Sequence, residues 1–244
     1  MLYITLNRKK YCLETHQPSN MLVDFGTYGN GSIDWKPEGL HLYEMIEQLN
    51  MNQPLAAEIN GLLLPMDTFI TQDCKIKFIT AETAVGRKIL KNTGIFLLAY
   101  AVKTVTGNQL QRLKGSMLSA TTFCYDFITA NMNSSANYTI THEMLDEIQL
   151  CLNAVLSSSA IIRKKAVPYY QMKKKLREWN EPYLIQQIDI NDDGGPVKTY
   201  QLDEFIEPCD AFLLKNLDRI KNVRIIDVEN GLTRCRVSAE ILAK

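Results

Sequence analysis

AAEINGLLLPMDTFITQDCKIKFIT, residues 56–80, decides how the N-terminal part of this chain folds. Asn60-Gly61 lies between AAEI and LLLPMD, and this dipeptide is the strongest short hairpin signal, because both turn positions need a positive φ. Further on, Lys75 and Lys77 alternate with Ile76 and Phe78, the period of two expected of a strand with one wet face. Upstream, Leu42, Met45, Ile46 and Leu49 recur at helical spacing within residues 40–49. Before them, Tyr3–Leu6 and Met21–Phe25 are strand-like, punctuated by Gly26, Gly29, Asn30, Gly31, Pro37 and Gly39. Residues 1–80 therefore read as strands around one helix, a small α+β unit.

The remainder, 81–244, reads as a second α+β unit. A broadly apolar helix is expected from about Thr83 to Thr104, stopped by Gly107 and Asn108. TTFCYDFIT, residues 121–129, is β-branched and aromatic and reads as a strand. An Asn/Ser loop at 130–137 carries two glycosylation-type triplets, which without a secretion signal read as chance. Thr141 is a suitable N-cap, with Glu143 in the first turn, for a helix through Met144, Ile148, Leu152 and Leu156. Pro168 suits the first turn of a helix reaching Trp179. Tyr183–Ile190 is strand-like, Asp192-Asp193-Gly194-Gly195 is a turn, and Val223–Val228 and Arg234–Ile241 are further strands.

Composition narrows the functional classes. The chain has 244 residues, 46% apolar and 22% charged, with 27 basic and 27 acidic side chains and a net charge of zero. Binding of nucleic acid through bulk positive charge is excluded, so any such contact needs a local patch. The longest clean apolar run, Gly94–Val102 between Lys91 and Lys103, is far shorter than the ~20 residues of a membrane-spanning helix. The closest two of the six cysteines, Cys209 and Cys235, are 26 positions apart, so no CxxC motif exists; His16, His41 and His142 are too few for a histidine-rich metal site, which leaves only mixed sites with carboxylates open. Met1–Leu6, followed by Arg8-Lys9-Lys10, is too short for the apolar region of a secretory signal, which makes a reducing compartment the expectation.

Motifs for chemistry are scarce. GTYGNG at 26–31 lacks the order of a phosphate-binding loop and the helix that must follow it. No GxSxG elbow occurs. His142 with Glu143 and Asp146 reads as an exposed first helical turn. Asp203-Glu204 and Glu207/Asp210 read as a solvated strand edge or turn. One asymmetry stands out: Arg163, Lys164, Lys165, Lys173, Lys174, Lys175 and Arg177 fall in fifteen residues without an acid, interleaved with Tyr169 and Tyr170 and followed by Trp179. Cations with aromatic faces suit phosphate contact and base stacking, so these seven are the candidate RNA-binding residues; the alternative is a solvated helix face. Arg8-Lys9-Lys10 is a weaker second candidate.

Taken in order, these stretches resemble the two N-terminal modules of threonyl-tRNA synthetase. Residues 56–80, with Met66-Asp67 before the last strand, look like the end of a TGS domain, a ubiquitin-like β-grasp module. The following helix, then Phe123-Cys124-Tyr125-Asp126, then Asp203-Glu204-Phe205-Ile206-Glu207-Pro208-Cys209, resemble the synthetase editing domain. The resemblance covers about residues 40–244 and implies a TGS-like domain over 1–80, with an N-terminal extension, and an editing-like α+β domain over 81–244.

The departures decide what it implies about function. Where the family has the two histidines of a helical HxxxH motif, this chain has Asn92 and Phe96; where it has CxxxH, this chain keeps Cys209 but has Leu213. Those imidazoles would orient water or bind metal for deacylation of mischarged tRNA. In this respect the chain is similar to the mitochondrial large-subunit ribosomal protein family numbered thirty-nine. That similarity implies a non-enzymatic structural constituent in the mitochondrial matrix. Its partners would be large-subunit ribosomal RNA and neighbouring mitochondrial ribosomal proteins. It further implies no membrane, no small-molecule substrate, and no catalytic, cofactor-binding or metal-binding residues. The competing expectations are a free-standing deacylase using Cys209 with Asp126 or Asp210, and a tRNA- or mRNA-binding regulator on the same scaffold.

Overall fold

The computed structural model describes residues 2–6, 9–13, 22–26, 39–49, 54–71, 74, 76–129 and 139–244, with backbone alone for 2–26 and 48–49. The expected glycine cluster beyond Gly26, Arg8 of the basic N-terminal triplet, and the Asn/Ser loop with its triplets lie outside the described residues. The chain divides into two compact units, Met1–Arg87 and Lys88–Lys244.

In the first unit, β1 (Leu2–Leu6) pairs antiparallel with β2 (Lys9–Leu13) and parallel with β3 (Leu22–Gly26). β4 (Leu40–His41) leads into helix α1 (Leu42–Leu49), whose Leu42, Met45 and Ile46 are buried at the spacing that defines one helix face. β5 (Ala56–Ile59) and β6 (Leu62–Leu64) form the hairpin expected at Asn60-Gly61, with φ of 49° and 86° at the two turn residues. β7 (Phe69–Ile70) pairs with β4, and β8 (Ile76–Ile79) pairs with β5. Ile76 and Phe78 point into the core and Lys77 outward, as the alternation requires. One apolar cluster joins Leu40, Leu42, Met45, Ile59, Ile70 and Phe78.

The second unit is built on the long helix α2 (Ala84–Thr106), most of which lies in it. β9 (Leu110–Met117) and β10 (Thr122–Thr129) follow, and α3 (His142–Ser157) starts at Thr141, whose hydroxyl accepts the Met144 N–H at 3.3 Å. Then come β11 (Arg163–Val167), α4 (Tyr169–Glu178), α5 (Pro182–Ile190), β12 (Val197–Leu202), β13 (Phe205–Pro208), β14 (Ile220–Asn230) and β15 (Arg234–Ala243). Two antiparallel sheets result, ordered β14-β15-β10-β9 and β11-β12-β13.

Helix α2 packs closely on the four-stranded sheet. A Cβ at Gly94 would lie 2.5 Å from the Phe123 ring, and one at Gly115 of β9 would lie 2.2 Å from Ile95. Helices α4 and α5 cover the three-stranded sheet through Met172, Leu176, Leu184, Ile188 and Ile206. Among the described residues no helix is long and apolar enough to cross a membrane.

The structure corrects one element. Residues 183–190, expected as a strand, form α5. Pro182 occupies the start of the helix, where its fixed φ is compatible, and Leu184 and Ile188, one turn apart, are both buried against α4. The β-branched composition favoured extension, but burial of a helical stripe decided the conformation. The sequence gives no expectation of a strand at β2, β9, β11 or β12; in β9 and β11 the charged residues hide the alternation.

Candidate functional site

Helix α2 and the segment after β13 meet where the resemblance places the editing histidines. Phe96 is 2% exposed and packs edge-on against Phe205, centroids 5.4 Å apart; Leu213 is 3% exposed. Asn92 is half-buried. Thr93, on the next position of α2, accepts the Leu214 N–H at 3.0 Å and donates its own hydrogen to the Ile89 carbonyl at 2.9 Å. The Leu213 N–H donates to the Tyr200 hydroxyl at 3.3 Å. Phe96, Phe205, Leu213 and Tyr200 thus supply apolar bulk and internal hydrogen bonds at this meeting point.

Cys209, the matching thiol, directly follows β13 and donates its N–H to the Lys198 carbonyl at 2.9 Å. Burial pushes its pKa up to about 11, and the carboxylates of Glu207 and Asp210 add to the rise. It is therefore a protonated thiol at neutral pH, the inert form of cysteine. Asp126, a candidate partner for it, is buried and bound by Arg236 Nε at 2.8 Å and by Arg234. Burial alone would raise its pKa, but hydrogen bonds and charge from the two arginines outweigh that and hold it below the ordinary 3.8. A carboxylate so held is a poor proton acceptor. Asp210 is exposed and pairs with Lys198 at 3.2 Å. Among the described residues, no three His, Cys, Asp or Glu side chains gather in a metal-holding group.

Glu207 is a correction. Expected at a solvated edge, it is buried in a polar network linking the two sheets. Arg112 of β9, 1% exposed, donates from Nη1 to Glu207 Oε2 at 2.5 Å and to the Ile206 carbonyl at 2.9 Å. Its Nε and backbone N–H donate to Glu181 at 3.0 and 2.7 Å. The Tyr125 hydroxyl donates to Glu207 Oε1 at 2.6 Å, and Lys103 reaches Glu181 at 2.9 Å. Two cations face two carboxylates, so the cluster is balanced. Burial pushes the Glu207 carboxyl up despite Arg112; burial and the neighbouring carboxylates push the Tyr125 phenol well up. Burial opposes the Arg112 charge, yet its two carboxylates outweigh the effect. Nothing local marks this network, because its two carboxylates lie 69 and 95 positions from Arg112 in the chain.

The seven basic residues divide between two elements. Arg163, Lys164 and Lys165 sit on β11, an outer strand of its sheet, and all three are exposed. Alternation puts Arg163 and Lys165 on one face and Lys164 on the other. Val167 shares the first face and packs into the cluster beneath α4 and α5, so Arg163 and Lys165 share the helix-covered side. On α4, Lys174, Lys175 and Arg177 are exposed, but Lys173 is half-buried and bonded to Asp189 at 2.8 Å and to the Tyr169 hydroxyl at 3.2 Å. Lys175 lies over the Trp179 ring at 5.9 Å, and Tyr170 is 69% exposed. Lys174 approaches Glu178 at 4.0 Å, a weak exposed pair. His142 and Glu143 stand exposed at the start of α3.

No family model matches the chain. It is 22% identical over 218 residues, 88% of its own length, to threonine–tRNA ligase of Clostridium kluyveri. It is 23% identical over 211 residues, 85% of its length, to threonine–tRNA ligase of Clostridium botulinum strain Hall, and 22% over 211 residues to that of Clostridium tetani. The chain spans about a third of the length of these relatives, 33% and 32% of the first two. Over most of its own length, then, this mixed α/β chain is distantly similar to threonine–tRNA ligase.

Proposed function

We propose that the chain is a non-catalytic structural constituent of the mitochondrial ribosomal large subunit, made of a TGS-like module and an editing-like module whose chemistry has been lost. The observation that carries this reading is the filling of the histidine positions. Phe96 and Leu213 are packed apolar residues that neither accept a proton nor ligate, and Cys209 holds its proton to about pH 11. The basic residues of β11 and α4, other than the ion-paired Lys173, supply the ribosomal RNA contact, with Tyr170 as an exposed aromatic among them. Neighbouring ribosomal proteins supply the rest of the interface, and the site of action is the mitochondrial matrix.

The test is sedimentation of organelle lysate. The protein should travel with large-subunit particles and their RNA. Travel as a free protein would overturn the reading. The similarity to threonine–tRNA ligases favours a second reading, a free-standing tRNA-binding or tRNA-deacylating protein. It requires hydrolysis of misacylated tRNA that disappears in Cys209→Ala, or salt-sensitive binding of free tRNA outside any ribosome.

A further inference from the structure

The first unit carries a surface opposite in character to β11 and α4. From Pro37 to Cys74 the sequence contains Glu38, Glu44, Glu47, Glu58, Asp67 and Asp73, and neither lysine nor arginine. Within that stretch three aromatic rings assemble at the surface. β4 sets His41 opposite Phe69 of β7, with ring centroids 4.8 Å apart. Tyr43, in the first turn of α1, stacks on His41 at 5.0 Å with an interplanar angle of 16°.

The cluster is held in place. His41 Nδ1 bonds the Asp67 carbonyl at 3.1 Å, and the His41 N–H donates to Glu44 Oε2 at 2.8 Å. Tyr43 and Phe69 nevertheless remain 45% and 44% exposed. Glu47, one helical turn beyond Tyr43, and Asp67, two residues before Phe69, are both exposed at its border. Fixed, solvent-facing aromatic rings are the residues that anchor protein interfaces, because they bury large area at small entropic cost.

Charge selects the partner. Carboxylates beside the rings repel phosphate, which disfavours RNA here. A guanidinium stacks on an aromatic face and bonds a carboxylate at the same time. We propose that the His41–Tyr43–Phe69 surface docks an arginine-bearing basic segment of a partner protein. This inference stands apart from the ribosomal reading, since it concerns the other unit and the opposite sign of charge.

The full chain is titrated with a fluorescent peptide of alternating arginine and glycine, read by anisotropy, and with the same peptide carrying lysine. The arginine peptide should bind more tightly than the lysine peptide. Tyr43→Ala and Glu47→Lys should each weaken it about tenfold; Glu47→Lys should leave the thermal midpoint unchanged because that side chain is exposed, and Tyr43→Ala should lower it only slightly, by the loss of the stack on His41. The proposal is overturned by absence of arginine-peptide binding, by equal affinity in wild type and both variants, or by equal affinity for the two peptides. It is also overturned if single-stranded RNA binds with the same dependence on Tyr43. Self-association in sedimentation that Tyr43→Ala abolishes would overturn it as well, since the occupant would then be a second copy.

Discussion

Asp126 and Phe96 show how single side chains constrain what this protein can be. Asp126 is buried yet charged, because Arg234 and Arg236 more than offset the cost of burial. Its folded pKa lies below the ordinary 3.8, so the folded state binds fewer protons than the unfolded chain. The stabilisation is therefore complete at neutral pH and fades as pH falls from about 3.8 through the folded value. Asp126→Asn should be less stable at pH 7, with the gap narrowing below that point in an acid series of urea melts. A gap that stayed constant would mean the ion pairs do not carry the effect. Phe96 is fully packed, so Phe96→Asp buries an unpaired charge and should cost at least about 3 kcal/mol, enough to unfold the second unit. Native-like circular dichroism for that variant would place Phe96 at the surface. Phe96→His should not restore hydrolysis of misacylated tRNA, since Asn92 and Leu213 remain.

At the scale of elements, close approach of α2 to its sheet governs the second unit. Gly94 in mid-helix is unfavourable by roughly 1 kcal/mol against alanine, so propensity alone would make Gly94→Ala stabilising. A Cβ there would lie 2.5 Å from the ring of Phe123, which is fully buried and has nowhere to retreat. Overpacking costs about 1–3 kcal/mol and wins. Gly94→Ala should lower the thermal midpoint; a rise would show that the helix can shift away from β10. Helix α3 solves a different problem. The Gln149 side-chain amide donates to the Val223 carbonyl at 2.9 Å and accepts the Ile225 N–H at 2.9 Å. It thereby serves β14, an outer strand, in place of a further strand.

At the scale of the molecule, a net charge of zero conceals segregation: a basic stretch at 163–177 and an acidic, lysine- and arginine-free stretch at 37–74. Replacing Lys174, Lys175 and Arg177 by glutamine should leave stability within about 0.5 kcal/mol, because exposed charges contribute little, while weakening RNA association and reducing its salt dependence. Equal losses of stability and association would assign these residues to folding instead. Lys173→Gln should act less on RNA, since Asp189 already neutralises it. The sequence by itself determined the Asn60-Gly61 hairpin, the long apolar helix α2, the Thr141 cap and strands β10 and β15. Each rests on turn chemistry, periodicity or capping acting over a few residues. Only the tertiary structure decided that 182–190 is helical, that 163–167 is a strand, and that Arg112, Glu181, Glu207 and Asp126 are buried. Short-range preference is blind to those outcomes: a charge enters the interior only when a counter-charge arrives from a distant part of the chain, and a short apolar run takes its conformation from the surface it covers.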